Sequence, residues 1–123
     1  MNVKNVKNMK YFTSIDGCRI AETFGMPTEG IKAASVAYAI LESGKRTKPH
    51  CHDFLEWYII VKGSAEMKIG EEKRLVREGD NIMIPKNKRH SISAKGETDL
   101  EFYCFCVPAF TKDGTAMKDG ENA

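Results

Sequence analysis

The chain has 123 residues, with 19 Lys and Arg against 17 Asp and Glu, for a net charge of +2. That length fits one domain with a real core, and the near-balanced charge offers no basic face for nucleic acid or an anionic membrane. No apolar run reaches the roughly 18 residues of a membrane span. The lysine-containing start MNVKNVKNMK also lacks the apolar segment of a secretory signal, so a cytoplasmic protein is expected.

Residues 1–10 read as a polar N-terminal arm, partly ordered at best. Asp16-Gly17 is a turn signal between two strand-like runs, which predicts a hairpin over Tyr11–Phe24. Gly25-Met26-Pro27 closes it. The segment IKAASVAYAIL (residues 31–41) has alanines that suit a helix. Its alternation of Ser35, Ala37 and Ala39 with Val36, Tyr38 and Ile40 suits a strand, and strand is the better reading. Further strands are expected over 65–69, 73–77 and 81–84, with turns at Gly70, Gly79 and Pro85. Leu100–Val107 is a nearly continuous apolar strand, which predicts burial on both faces. Residues 111–123 are polar and glycine-rich and read as a loose tail. Short strands separated by glycine turns predict an all-β sandwich or barrel, spanning residues 11–110.

The stretch GKRTKPHCHDFLEWYIIVKG (residues 44–63) concentrates the chemistry. It carries His50, His52 and Glu56; the third histidine, His90, follows Pro85. In a continuous strand, positions two apart share a face, so His50, His52 and Glu56 point the same way, together with Phe54 and Tyr58. Pro49 and the β-branched run after Glu56 argue against a helix. Two imidazoles and a carboxylate on one face suit a divalent transition metal such as Fe, Mn, Ni, Co or Zn. An all-oxygen Ca or Mg site has no need of histidine.

These spacings resemble a known family. Gly44, five residues, His50, one residue, His52, three residues, Glu56, six residues, Gly63 is similar to the first cupin motif. Gly79, five residues, Pro85, then His90 is similar to most of the second. Asn87 stands where that motif has glycine, and Ala94 where it has asparagine. The resemblance covers about Asp16 to Phe110. It implies a double-stranded β-helix, or jelly-roll barrel, with one divalent transition metal (Fe, Mn, Ni or Zn) held by His50, His52, Glu56 and His90, and a homodimer. Asn tolerates a left-handed turn, so the first departure leaves the second motif workable.

Other residues have plainer readings beside functional ones. Tyr58 and Phe54 are expected to line the ligand cavity; Tyr58 is the candidate catalytic acid or base, against a reading as ordinary core. Cys104 and Cys106 share a strand face and read as buried thiols. Cys51 is expected to face away from the metal. With no export signal, the four cysteines, including Cys18, are expected as thiols rather than disulfides. Lys45, Arg46 and Lys48, with Lys86, Lys88 and Arg89, form either a solvated rim or a steering surface for an anionic ligand. Trp57 points outward, toward the other sheet or a dimer partner.

Two functions fit. Four protein ligands on an octahedral ion leave two positions for a chelating small molecule, which suits an enzyme: dioxygenase-like with Fe, isomerase- or lyase-like with Mn, Ni or Zn. The alternative is a barrel that binds or senses a small molecule without turnover. Fold alone does not decide between them.

Overall fold

The computed structural model describes residues 1–117. Its strands are β1 (Phe12–Thr13), β2 (Arg19–Phe24), β3 (Ser35–Leu41), β4 (Cys51–His52), β5 (Leu55–Lys62), β6 (Ser64–Ile69), β7 (Glu72–Arg77), β8 (Asn81–Ile84), β9 (His90–Lys95), β10 (Leu100–Val107) and β11 (Thr115–Ala116). One short helix, α1 (Met26–Glu29), follows β2.

Alternation in the sequence becomes two facing layers. A six-stranded antiparallel sheet runs β1-β2-β3-β10-β5-β8, and a three-stranded sheet runs β7-β6-β9. Between them Leu41, Ile60 and Phe102 of the large sheet meet Ala65, Met67 and Ile92 of the small one. Pairing β3 with β10, and β10 with β5, brings distant segments side by side. This is the jelly-roll barrel expected from the motifs. The 31–41 segment is a strand from Ser35, in unbroken register with Cys106 back to Leu100. Its inward positions, Ser35, Ala37 and Ala39, are small, and that leaves room inside the barrel.

Two glycine-type positions are demanded by the backbone. Gly63 has φ 90°, and a Cβ there would lie 2.8 Å from the Asp99 carbonyl oxygen. Asn87 takes the left-handed conformation at φ 62°, and its N–H donates to the His52 carbonyl at 2.6 Å. The asparagine therefore does the glycine's work and also braces the ligand segment. At the other departure, Ala94 is buried within β9, and its N–H donates to the Lys45 carbonyl at 2.8 Å. No side-chain hydrogen bond is needed there to hold the Gly44 loop.

Three expectations are corrected. β10 is not buried on both faces: Leu100, Phe102 and Cys106 are buried, but Phe105 is 36% and Val107 39% exposed. The outer face of the large sheet has no second layer over this part of β10, so its apolar side chains stay open. Residues 111–117 are not loose. Thr115 and Ala116 pair with His52 and Cys51, and the Asp53 N–H donates to the Gly114 carbonyl at 2.8 Å. Polar composition misled here because this ribbon needs backbone partners rather than apolar burial. Residues 118–123 of that expected tail lie outside the described residues. The arm is also tied down: Lys4 Nζ donates to the Thr23 carbonyl at 2.5 Å and pairs with Glu29 at 2.6 Å, and the Tyr11 hydroxyl donates to the Val6 carbonyl. Among the described residues no helix is long and apolar enough to cross a membrane. No two of the four cysteines are joined in a disulfide.

Candidate metal centre

The three histidines and Glu56 come from separate backbone elements. His50 precedes β4 and forms an isolated bridge with His90, the first residue of β9; each backbone N–H donates to the other's carbonyl. His52 lies in β4 and Glu56 in β5. The strand expected to run through all three is interrupted at residues 53 and 54. The reason is pairing: β4 is held by β11, whereas β5 is held by β10 and β8. The chain must bend to change sheets. Glu56 still reaches the histidines because the bend turns β5 inward at that position.

Hydrogen bonds fix the histidine tautomers. His50 Nδ1 lies 2.7 Å from the Lys48 carbonyl and His90 Nδ1 2.9 Å from the Lys88 carbonyl. A carbonyl only accepts, so each Nδ1 carries the proton and each Nε2 keeps a bare lone pair. His52 Nδ1 lies 2.8 Å from Thr115 Oγ1, whose own proton goes to the Thr111 carbonyl at 3.1 Å. That hydroxyl accepts from Nδ1, and the Nε2 of His52 is bare too. Phe54 stacks on the His52 ring at 4.6 Å, and Phe110 meets it edge-on at 5.7 Å.

Ligand atoms of His50, His52 and His90 all lie within 4.8 Å of one another, and all three residues are buried. Glu56 Oε1 stands 3.3 Å from His52 Nε2 and 3.4 Å from His90 Nε2. Buried Glu56 Oε1 and His90 Nε2 have no hydrogen-bond partner. Burial pushes the Glu56 carboxyl up, but when His52 and His90 are protonated in the metal-free protein their charges and hydrogen bonds outweigh this and hold it down at about 2. Burial, with His90 adding to it, pushes His50 down to about 4. The centre therefore presents a neutral His50 imidazole and a buried carboxylate near neutral pH. An uncompensated buried charge costs several kcal/mol, and a divalent cation supplies what these donors lack. The donor set of three imidazoles and one carboxylate fits Fe, Mn, Ni or Zn.

A cavity of about 90 Å³ opens beside this centre, room for a small organic molecule. Tyr58, Cys104 and Cys106 line it, with Ala37 and Ala39 beside them on β3. Burial, then the Glu56 carboxylate, pushes both Tyr58 and Cys104 well up, so the phenol and the thiol stay protonated near neutral pH. Cys106 Sγ donates to Glu56 Oε2 at 3.5 Å. Phe54 is not in the cavity wall; it packs behind His52. Cys51 is also outside the wall, and it is buried.

Among the described residues the wall contains three acids, Asp16, Glu22 and Glu56, and no lysine or arginine. None of Lys45, Arg46, Lys48, Lys86, Lys88 or Arg89 reaches it. Asp16, Thr115 and Phe110 were missed by sequence reasoning. Asp16 reads as a turn residue and Thr115 as tail, and no local signal marks either for this site. Phe110 closes the apolar C-terminal run, which was the one cue available.

Comparisons with known proteins agree with this fold. The family model described as Cupin domain matches residues 37–106. An uncharacterized protein of Methanocaldococcus jannaschii is 34% identical over 90 residues, covering 72% of this chain and 71% of that one. A segment of 58 residues is 36% identical to an uncharacterized HTH-type transcriptional regulator of Bacillus subtilis, covering 47% of this chain and 20% of that one. Among solved structures, a Thermotoga maritima protein described as a predicted oxalate decarboxylase superposes with a TM-score of 0.76 at 22% identity, covering 86% of this chain and 98% of that one.

Proposed function

The chain belongs to the cupin family, and we propose that it is a metal-dependent enzyme acting on a small organic molecule chelated at His50, His52, Glu56 and His90. The observation that carries this is the convergence of three bare imidazole nitrogens with a buried carboxylate oxygen that has no hydrogen-bond partner. One divalent transition metal per chain supplies Lewis acidity if it is Mn, Ni or Zn, and dioxygen chemistry if it is Fe.

The chain's own residues then do the rest. The backbone carbonyls of Lys48 and Lys88 and the hydroxyl of Thr115 hold the imidazoles in the binding tautomer. Tyr58, the one phenol in the cavity wall, is the candidate catalytic residue, as a proton or hydrogen-bond donor to the bound molecule. Ala37 and Ala39 set the cavity's size, and the apolar rings around His52 keep water from that side. The acidic wall favours a ligand without net negative charge. The working unit is a homodimer, supported by the open apolar face around Phe105 and Val107. A cytoplasmic location accords with the absence of disulfides.

A second reading is a barrel that binds or senses a small molecule without turnover. The similarity of 58 residues to a transcriptional regulator favours it. Elemental analysis of untagged protein, purified without chelator under reduced oxygen, tests the first reading. Near-stoichiometric iron directs the next assay to dioxygen consumption with phenols, diketones and thiols; manganese, nickel or zinc directs it to isomerase and lyase assays. Protein that holds no metal and takes none up on titration would leave the metal-free binding barrel as the better account.

A further inference from the structure

We propose that Asp16 is a fifth ligand of this metal in the substrate-free protein, supplied by the β1–β2 hairpin rather than by either histidine-bearing motif and displaced when a molecule chelates the ion. The inference rests on the metal-centre reading above. Asp16 Oδ2 stands 3.6 Å from His50 Nε2, the nitrogen left bare by the Lys48 carbonyl. That separation is close to the 3.3 and 3.4 Å at which Glu56 Oε1 stands from His52 and His90. Two donors to one ion are held at about such spacings, because each sits roughly 2 Å from the metal.

The two oxygens of Asp16 have different employment. Oδ1 accepts from the Cys18 N–H at 3.2 Å and from the Ser14 hydroxyl. Oδ2 is left to face His50. The Asp16 backbone carbonyl accepts from the Lys48 N–H at 2.8 Å, which pins the hairpin turn to the loop that carries His50. The side chain is only 15% exposed and lines the cavity. A carboxylate that served only its turn would have no reason to be drawn inward. This one is oriented by its own turn on one oxygen and offers the other to the centre, the arrangement that outer hydrogen bonds give to metal-binding carboxylates. With Glu56 it supplies two negative charges against a divalent ion among neutral imidazoles, which balances the buried centre formally.

The test uses Mn(II)-loaded protein and Asp16→Asn. Asparagine before Gly17 suits the same turn, and its amide oxygen still accepts from the Cys18 N–H. Affinity is measured by competition with a chelator, and metal-bound water is counted by magnetic relaxation. The expected result is that Asp16→Asn still binds one Mn(II) per chain, roughly ten-fold more weakly, with one more bound water than wild type. As a measurement independent of any variant, wild type labelled with 13C in its aspartate carboxyl groups should show the hyperfine coupling of a directly bound carboxylate carbon. Unchanged affinity and water count in Asp16→Asn, or no such coupling in wild type, overturns the assignment. If wild type binds Mn(II) normally in that case, the four-residue centre stands and only Asp16 is removed from it. A wild type that takes up no metal would remove both.

Discussion

The Thr115 hydroxyl accepts a hydrogen bond from the His52 imidazole at 2.8 Å, although 63 residues separate them. It thereby fixes which nitrogen of His52 faces the centre, and the β4–β11 ribbon exists around this contact. Outer partners of metal-bound histidines typically contribute 10- to 100-fold in affinity. Thr115→Val should weaken metal binding by roughly that factor, and Thr115→Ser should restore most of it. Chelator competition measures both; equal affinity in Thr115→Val and wild type would show the contact to be incidental.

His52→Ala should abolish tight metal binding and lower the melting temperature in metal-containing buffer, because a ligand for the folded state stabilises it. Cys51 is not a neutral control, since it is buried. Exposed Lys73, at the edge of the small sheet, is better. Metal content equal to wild type in His52→Ala, with Lys73→Ala as reference, would sink the ligand assignment.

Stability of the metal-free protein should fall in acid. His50 is held at about 4 in the fold against its ordinary 6.5. Between those values the unfolded chain binds the extra proton, so stability is full above about 6.5 and is lost as pH drops toward 4. Glu56, held at about 2 against 4.5, extends the loss over the window below 4.5. Urea melts of chelator-treated protein across this range test the sign. A midpoint that stays flat or rises from pH 7 to 4 would contradict it.

A divalent ion balanced by Glu56, and by Asp16 where that also binds, leaves at most one positive charge, so the loaded protein should be a poor receptor for a dianion. Among the described residues no lysine or arginine faces the occupant to supply the missing charge. Oxalate should therefore bind more weakly than a neutral diketone of similar size. Calorimetry with both compounds decides this; tighter oxalate binding would mean that the basic residues outside the wall govern selection after all.

Trp57, Phe105, Val107 and Met83 share the outer face of the large sheet, where Trp57 meets Phe105 edge-on and Met83 is 57% exposed. If a second copy covers this face, Phe105→Glu should shift a dimeric mass to a monomeric one in light scattering while leaving metal content unchanged. A wild type that is monomeric at micromolar concentration would contradict the dimer.

Residue pattern alone was enough to read the strands, the barrel, and His50, His52, Glu56 and His90 as one candidate set. These are legible because strand alternation and glycine turns are local, and because the two motifs fix residue spacing. Asn87 was legible for the same reason: a left-handed position admits few residues. Only the tertiary structure decided the break between His52 and Glu56, since that depends on which sheet pairs each segment. It alone brought Asp16 and Thr115 to the centre, because a turn aspartate and a threonine in a polar stretch carry no sign of where their backbone will dock. It also decided that β10 keeps one face open and that the cavity wall is acidic. Local composition reports what a strand can bury, but which side chains meet across the barrel is set by strand order.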